Sequence, residues 1–281
     1  MSFDSIYTST SGLVAQTLSL TNISGNLANT QTTAYKTTGT HFEDLLSIFM
    51  PRTDVVDGVQ GLTTFANDLQ GEISTSSSDT AMAINGDGYF TVQFPASFNG
   101  ADPVFDGTLS YTRRGDFIRD GNGFLVNSGG YYLMGAPVDL TTGAAGSGLE
   151  ILQFNESTTM PATDTTPAGT LETVAVGEDG QLVGSFSNGL TADIATLPLV
   201  TFPSQNSLLR LDGGAYSPTL QSGAAVTGAS GTVVGNALEA SNTDITTEAT
   251  ALLATQQAYS TDAAALTAGN EMLQTLVDLK T

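Results

Sequence analysis

Two short turns carry the oxygens that a calcium ion would ask for: Asn85, Gly86, Asp87 and Gly88, and Asp120, Gly121, Asn122 and Gly123. An EF-hand-like loop needs a spaced series of oxygen ligands closed by a later bidentate Glu, and neither turn has one. Asn-Gly and Asp-Gly between apolar runs are also the strongest short hairpin signal, since both residues tolerate positive φ. Turn chemistry therefore explains these residues without a metal. The one histidine, His41, could nominally join a Ser and an Asp in a triad. No Gly-x-Ser-x-Gly elbow supports that, so a surface or packed His is the simpler reading. Acids are everywhere, yet none stands out as a glycosidase pair in an aromatic setting, and Trp is absent. The two lysines, Lys36 and Lys280, sit in no phosphate-cradling loop. The Arg113, Arg114 doublet reads as a strand-edge pair meeting nearby acids. These residues predict no catalytic centre, no cofactor and no metal site.

Composition narrows the field further. Of 281 residues, 28 are acidic and 7 basic, for a formal net charge of -21. No basic stripe exists to neutralise phosphates, which argues against nucleic acid, and an anionic membrane is equally disfavoured. A surface this acidic repels copies of itself, so any self-assembly should improve in salt. With no Cys, disulfides and thiol chemistry are excluded. The first residues lack the basic and apolar regions of a secretory signal, and no run approaches the ~18 apolar residues of a membrane span. The expectation is a cytosolic protein, or one that leaves the cell without a cleaved signal.

What must position any functional surface is the pair of chain ends. Ile245, Leu252, Tyr259, Leu266 and Leu273 recur every seventh residue in a stretch without Pro. Ile6, Leu13, Leu20 and Leu27 repeat the spacing near the start. A seven-residue period keeps one narrow seam facing one partner. A helix over 236–279 would be on the order of 60 Å long at about 1.5 Å per residue, too long to lie on a small globule. The expected arrangement is two terminal helices pairing with each other and with copies of themselves, as a coiled-coil-like layer. An intramolecular helical hairpin with no assembly role is the alternative, but it leaves the far half of a long helix unsupported. The first helix is expected over 2–29, with Ser2 or Asp4 as N-cap and with Gly12 and Gly25 each weakening it by roughly 1 kcal/mol.

Between the ends the period drops to two. Strand, turn, strand is expected at 81–94 through Asn85 to Gly88, at 117–126 through Asp120 to Gly123, and at 174–186 through Asp179 and Gly180. Asn188, Gly189 and Asp212, Gly213, Gly214 add turns. A short apolar piece, Phe42 to Phe49, is stopped by Pro51, and 140–173 and 222–235 have loop composition. The fold class is α+β, with long N- and C-terminal helices and an antiparallel all-β domain between them. The domain division is 1–40 with 236–281 as the helical part, and 41–235 as a mostly β part with a loose region at about 140–173.

The run from Ser24 to Lys36 resembles the N-terminal motif of bacterial flagellar rod and hook proteins. Asn26, Leu27, Ala28, Asn29, Thr32, Thr33, Tyr35 and Lys36 carry the likeness, while Gly25, Ala34 and Tyr35 stand where the family usually has Asn, Gly and Phe. Residues 81–90, 111–117 and 120–126 look like the family's hairpins, and 238–244, 256–259 and 271–276 like its C-terminal helix. Residues 158–163, 184–189 and 197–202 resemble hook protein, although hook proteins generally carry outer domains that this chain lacks. The resemblance implies a short hook subunit, with a distal-rod subunit as the alternative. It implies a torque-transmitting helical homopolymer with terminal helices lining a central channel. Implied partners are rod proteins, the hook cap, hook-filament junction proteins and the flagellar export apparatus, and the implied location is the extracellular flagellum. A reading of a different class remains, a secreted β-rich enzyme or adhesin with a helical stalk.

Overall fold

The computed structural model describes residues 2–46, 56–100, 102–144, 146, 148–155, 158–162, 167–177 and 180–279. The expected apolar stretch at Ile48 and Phe49 with its stop at Pro51, the turn residue Asp179 and the side chains of Ser2 and Asp4 lie outside what is described. The chain forms two compact units. One comprises 1–31, 36–66 and 243–281, the other 32–35 and 67–242.

The first unit holds helix α1 (Ser2–Ala28), strands β1 (Thr38–Leu46) and β2 (Val56–Phe65), and helix α2 (Ile245–Asp278). Both helices are rich in Thr, a poor helix former, and both absorb its hydroxyls within the helix. Thr10, Thr17 and Thr21 donate to the carbonyls of Ile6, Leu13 and Thr17, and Thr250, Thr255, Thr261 and Thr267 do the same four residues back in α2. α1 ends where the Asn29 amide side chain and backbone N–H both donate to the Gly25 carbonyl. α2 starts nine residues later than position 236, because Thr232–Gly235 and Ala237–Glu239 are strands. Its N-cap is Asp244, whose carboxylate accepts from Thr247 N at 2.7 Å.

β1 and β2 form an antiparallel hairpin with register Thr38 to Phe65 and Leu46 to Val56. A domain boundary at residue 40 would cut through this hairpin, which belongs to the helical unit. It packs there because Gly61 lets α1 come close: a Cβ at Gly61 would stand 3.2 Å from Leu18 and 3.4 Å from the Ala15 Cα. Ser11 Oγ accepts from Val59 N at 3.1 Å, and Asn22 Nδ2 donates to the Gly39 carbonyl and to Thr40 Oγ1.

The second unit is antiparallel β throughout the described pairings. Its large sheet runs, by position, 159–160, 169–176, 181–186, 191–196, 132–137, 90–93, 109–112, 215–217 and 209–211. Four of the expected turns close hairpins: Leu125 opposite Arg119, Leu182 opposite Val176, Ser185 opposite Thr191, and Ala215 opposite Leu211. The first one does not. Met82–Asn85 pairs with Thr232–Gly235, whereas Phe90–Gln93 pairs with Leu109–Thr112 and Tyr132–Pro137. The 85–88 segment is a corner and not a hairpin turn, because its carbonyls are taken by a buried arginine described below. The core is centred on Ile84, Phe90, Val92, Phe117, Leu125, Leu133, Leu182 and Phe186, with an aromatic annexe of Tyr89, Tyr111, Phe202 and Tyr216.

Gly115 shows how tightly the corner is built. Met82 N donates to the Gly115 carbonyl at 3.0 Å, and a Cβ at Gly115 would overlap the Met82 carbonyl. Gly115→Ala is expected to destabilise the β unit by about 3 kcal/mol, since the clash is with backbone and cannot be relieved by a rotamer. Urea unfolding followed by tyrosine fluorescence checks this; a loss below about 1 kcal/mol would contradict the packing described.

Candidate functional site

α1 and α2 pack in the first unit, and three contacts fix their direction. A Cβ at Gly12 would lie 2.9 Å from Asp262 Oδ2, one at Gly269 would lie 3.2 Å from Ile6 Cγ1, and Asn26 Nδ2 donates to Glu248 Oε1 at 2.9 Å. Residue numbers rise along one helix as they fall along the other, so the pair is antiparallel. Gly12 weakens α1 as a helix but is the point where the partner helix approaches. Helix separation depends on the side chains at the contact, and here they are small.

The fully buried stripe of α1 is Ala15, Ser19, Ile23 and Asn26, at steps of four, four and three. This stripe was present in the sequence and was hidden by the stronger row of Leu residues. Of the two expected rows, Ile6, Leu13, Leu20 and Leu27 are half-buried, as are Leu252, Leu266 and Leu273, while Ile245 and Tyr259 are exposed. Thus no member of either row is fully covered within one copy. Around them further apolar surface is open: Val14 is 67% and Leu253 68% exposed.

Asn26 is 2% exposed and its amide is fully used. Nδ2 donates to the Thr38 carbonyl and to Glu248, and Oδ1 accepts from Thr38 N at 2.9 Å and Thr38 Oγ1 at 3.3 Å. One side chain thereby ties α1, β1 and α2. Of the other motif residues, Leu27 and Asn29 are half-buried, Ala28 is exposed, and Lys36 is buried. Thr32, Thr33, Ala34 and Tyr35 belong to the second unit. There Ala34 N donates to the Glu239 carbonyl at 2.8 Å and Asn242 N to the Tyr35 carbonyl at 3.1 Å.

Ala34 has φ +53°, the left-handed region that favours glycine. Ala34→Gly is expected to stabilise the protein by about 1 kcal/mol, the order of the left-handed penalty. A rise in the thermal midpoint checks it; an unchanged or lower midpoint would mean that the lost methyl contact outweighs the relief.

Glu248 is half-buried, and burial pushes its carboxyl above the ordinary 4.5, with the Asn26 hydrogen bond opposing more weakly. A folded-state pKa raised above the unfolded one means that folding takes up a proton. The stabilising contribution is complete below about pH 4.5 and is lost as pH rises through the raised value. Compared with Glu248→Gln, the wild type is therefore expected to gain helix stability on acidification from pH 7 toward 5. Helical circular dichroism melts of both proteins check this, and parallel pH curves would refute it.

In the second unit the Arg113, Arg114 doublet divides. Arg114 pairs with Asp116 at 2.8 Å in partial exposure. Arg113 is not at a strand edge but 1% exposed. Its Nε donates to the Gly88 carbonyl at 3.0 Å, its Nη2 to the Gly86 carbonyl, and Glu239 Oε2 lies 3.9 Å from Nε. Its guanidinium sits over the Tyr89 ring at 5.6 Å. Glu239 also accepts from Gly71 N at 2.9 Å, and burial pushes the neighbouring Tyr216 phenol up to about 12. Nothing in the sequence distinguished the buried arginine from its neighbour.

Asp120 Oδ1 accepts from Asn122 N and Phe124 N, so that carboxylate closes its own turn. Among the described residues no group of three or more His, Cys, Asp and Glu could hold a metal ion. His41 is exposed on β1.

The chain thus has two long antiparallel terminal helices in one unit and an antiparallel β sheet in the other. Residues 83–184 match the family described as "Flagellar hook protein FlgE/F/G D1 domain", and 234–279 match "Flagellar basal body rod FlgEFG protein C-terminal". The flagellar basal-body rod protein FlgG of Bacillus subtilis is 28% identical over 98% of this chain and 98% of its own. The flagellar hook protein FlgE of Brucella suis is 24% identical over 97% and 98%. That of Brucella melitensis reaches 36% over 57% of this chain and 42% of its own. The chain belongs to the flagellar hook and rod protein family and is a structural subunit of the flagellum.

Proposed function

We propose that the chain is a subunit of the hook segment of the flagellar axis, polymerising with copies of itself through its terminal helices. The observation that carries this is the state of the two heptad rows. Ile6, Leu13, Leu20, Leu27, Ile245, Leu252, Tyr259, Leu266 and Leu273 all keep apolar surface uncovered in one copy. Exposed apolar rows of that length call for a partner, and the same rows on the next copy are a fitting one. The hook assignment draws on identity, which is higher to the Brucella hook proteins over 178 residues than to the rod proteins.

A distal-rod subunit is the second reading, and alignment length favours it, since the rod relatives align over 295 or 296 residues and the Brucella suis hook protein over 400. The rod relatives align over 98% of this chain and nearly all of their own length, in alignments close to this chain's 281 residues. In either case the role is mechanical, without catalysis or cofactor. The terminal helices would line a channel. The partners would be rod proteins, the hook cap, hook-filament junction proteins and the export apparatus, reached without a cleaved signal peptide.

Sedimentation and electron microscopy in high salt test the reading, with the full chain beside a form ending at Asn242, which keeps the 237–239 strand. The expected result is tubes from the full chain alone, in salt that screens the net charge of -21. Curved, bendable tubes mean hook and straight, stiff ones mean rod. Equal polymerisation of the shortened form would remove the helices from their assigned role.

A further inference from the structure

Four Asn-Gly pairs stand in the chain, at Asn85, Asn99, Asn122 and Asn188. Asn followed by Gly carries a chemistry of its own besides turn formation. The Asn side-chain amide carbon is an electrophile, and the next backbone nitrogen is a nucleophile within reach of it. Glycine puts no Cβ in the way of their approach. Whether the two meet depends on how the fold holds each of them.

Three of the pairs are held. Asn85 is paired with Thr232, the Gly86 N–H donates to Gln70 Oε1 at 3.0 Å, and the Gly86 carbonyl accepts from the buried Arg113. After Asn122, the Gly123 N–H donates to the Asp120 carbonyl at 3.1 Å, and the Gly123 carbonyl accepts from Phe154 N at 2.7 Å. At Asn188 both reacting groups are fixed. The Gly189 N–H donates to the Phe186 carbonyl at 2.8 Å, while the Asn188 amide donates to the Pro167 carbonyl and accepts from Leu190 N, each at 3.1 Å. A backbone nitrogen whose hydrogen is bonded neither loses its proton easily nor turns toward a neighbouring side chain.

Asn99 is placed differently. Among the described residues, neither its side chain nor the Gly100 N–H has a hydrogen-bond partner. Both residues are exposed, Gly100 has φ +69°, and a Cβ there would meet nothing within 4 Å. The pair tips a hairpin of Ser97–Asn99 and Asp102–Val104, which forms a two-stranded sheet of its own. All of these strand residues except Pro103 are exposed, and Pro103, opposite Phe98, has no N–H to give to the ladder. A lone two-stranded ribbon is marginally stable, so it opens at little cost.

We infer that Asn99 is a site of spontaneous covalent modification, at which the chain rearranges through a cyclic imide without an enzyme. Hydroxide takes the Gly100 N–H proton, and that nitrogen attacks Asn99 Cγ. The new C–N bond closes a five-membered ring, the bond from Cγ to the side-chain nitrogen breaks, and that nitrogen takes a proton from water and leaves as ammonia. Water then opens the ring at either carbonyl. Opening at Cγ leaves an ordinary aspartate, and opening at the backbone carbonyl leaves an isoaspartate whose chain runs through Cβ and Cγ. In sum, water is consumed and ammonia released, with no oxidant or reductant. Either product sets a new carboxylate opposite Asp102 across the turn, on a chain whose net charge is already -21. None of this depends on polymerisation, since every reacting protein atom belongs to one copy.

The full chain is aged in mildly alkaline buffer, native and in parallel unfolded in urea, and samples are digested and sequenced by mass spectrometry. Conversion shows as the exchange of NH2 for OH at a located residue. In the native protein Asn99 is expected to convert about tenfold faster or more than Asn85, Asn122 and Asn188, because only its hairpin opens cheaply. In urea all four should convert at similar rates. A native Asn99 no faster than any of the other three would overturn the inference. A preference for Asn99 that persists undiminished in urea would overturn it too, by assigning the preference to neighbouring residue types instead of the fold. Asn99→Gln, at an exposed position, closes only a slower six-membered ring and should remove most of the early ammonia release of the native chain. Release unchanged by that substitution would also overturn the assignment.

Discussion

The closeness of α1 and α2 is the constraint from which the helical unit follows. Gly12 faces Asp262, Gly269 faces Ile6, and Ala15 and Ser19 are buried between larger residues that are not. Two helices that meet through small side chains bury little apolar area per turn, so the pair draws limited stability from its own contact. It needs the β1–β2 hairpin, which docks on α1 through Gly61, and the Asn26 amide, which ties both helices to Thr38. The same close approach pushes the large residues outward. Leucines that would fill the seam of an isolated coiled coil stand half-covered along its flanks, where a neighbouring copy can complete their burial.

The β unit solves a different problem by a different interaction. Its corner at 85–88 turns the chain away from the adjacent strand, leaving two glycine carbonyls pointing inward. Arg113 satisfies both, with Glu239 nearby and Tyr89 beneath it. A buried charge without partners is costly, and one partner removed would leave the other stranded. Glu239 also accepts from the Gly71 backbone, so the cluster fastens the corner to the segments that enter and leave the unit at 71 and 239.

Much of this was legible from residue types. The seven-residue spacing located both helices, and Gly-centred turns located four hairpins, because period and positive φ are local properties. What was not legible is set by distant partners. The Asn85 to Gly88 run has hairpin chemistry yet makes a corner, since the strand that pairs with Met82–Asn85 lies near the other end of the chain. Thr38–Leu46 and Val56–Phe65 alternate weakly and carry two internal glycines in β2, so nothing local announces a hairpin that owes its place to α1. The buried stripe at 15, 19, 23 and 26 was masked by Leu13 and Leu20, because hydrophobicity ranks large residues first while close packing selects small ones.

The acidic composition acquires a physical meaning from where the cations are. Lys36 and Arg113 are buried and Arg114 and Arg210 are engaged by their own chain, so most of the positive charge is spent inside each copy. The surface left over is almost purely negative. Copies of such a protein repel one another at long range, so an attraction between them must come from short-range contacts such as apolar burial. Salt shortens the repulsion to about 10 Å at 0.1 M without touching apolar burial. Any self-assembly of such a chain is therefore expected to strengthen with ionic strength, because salt weakens the repulsion and leaves apolar burial intact.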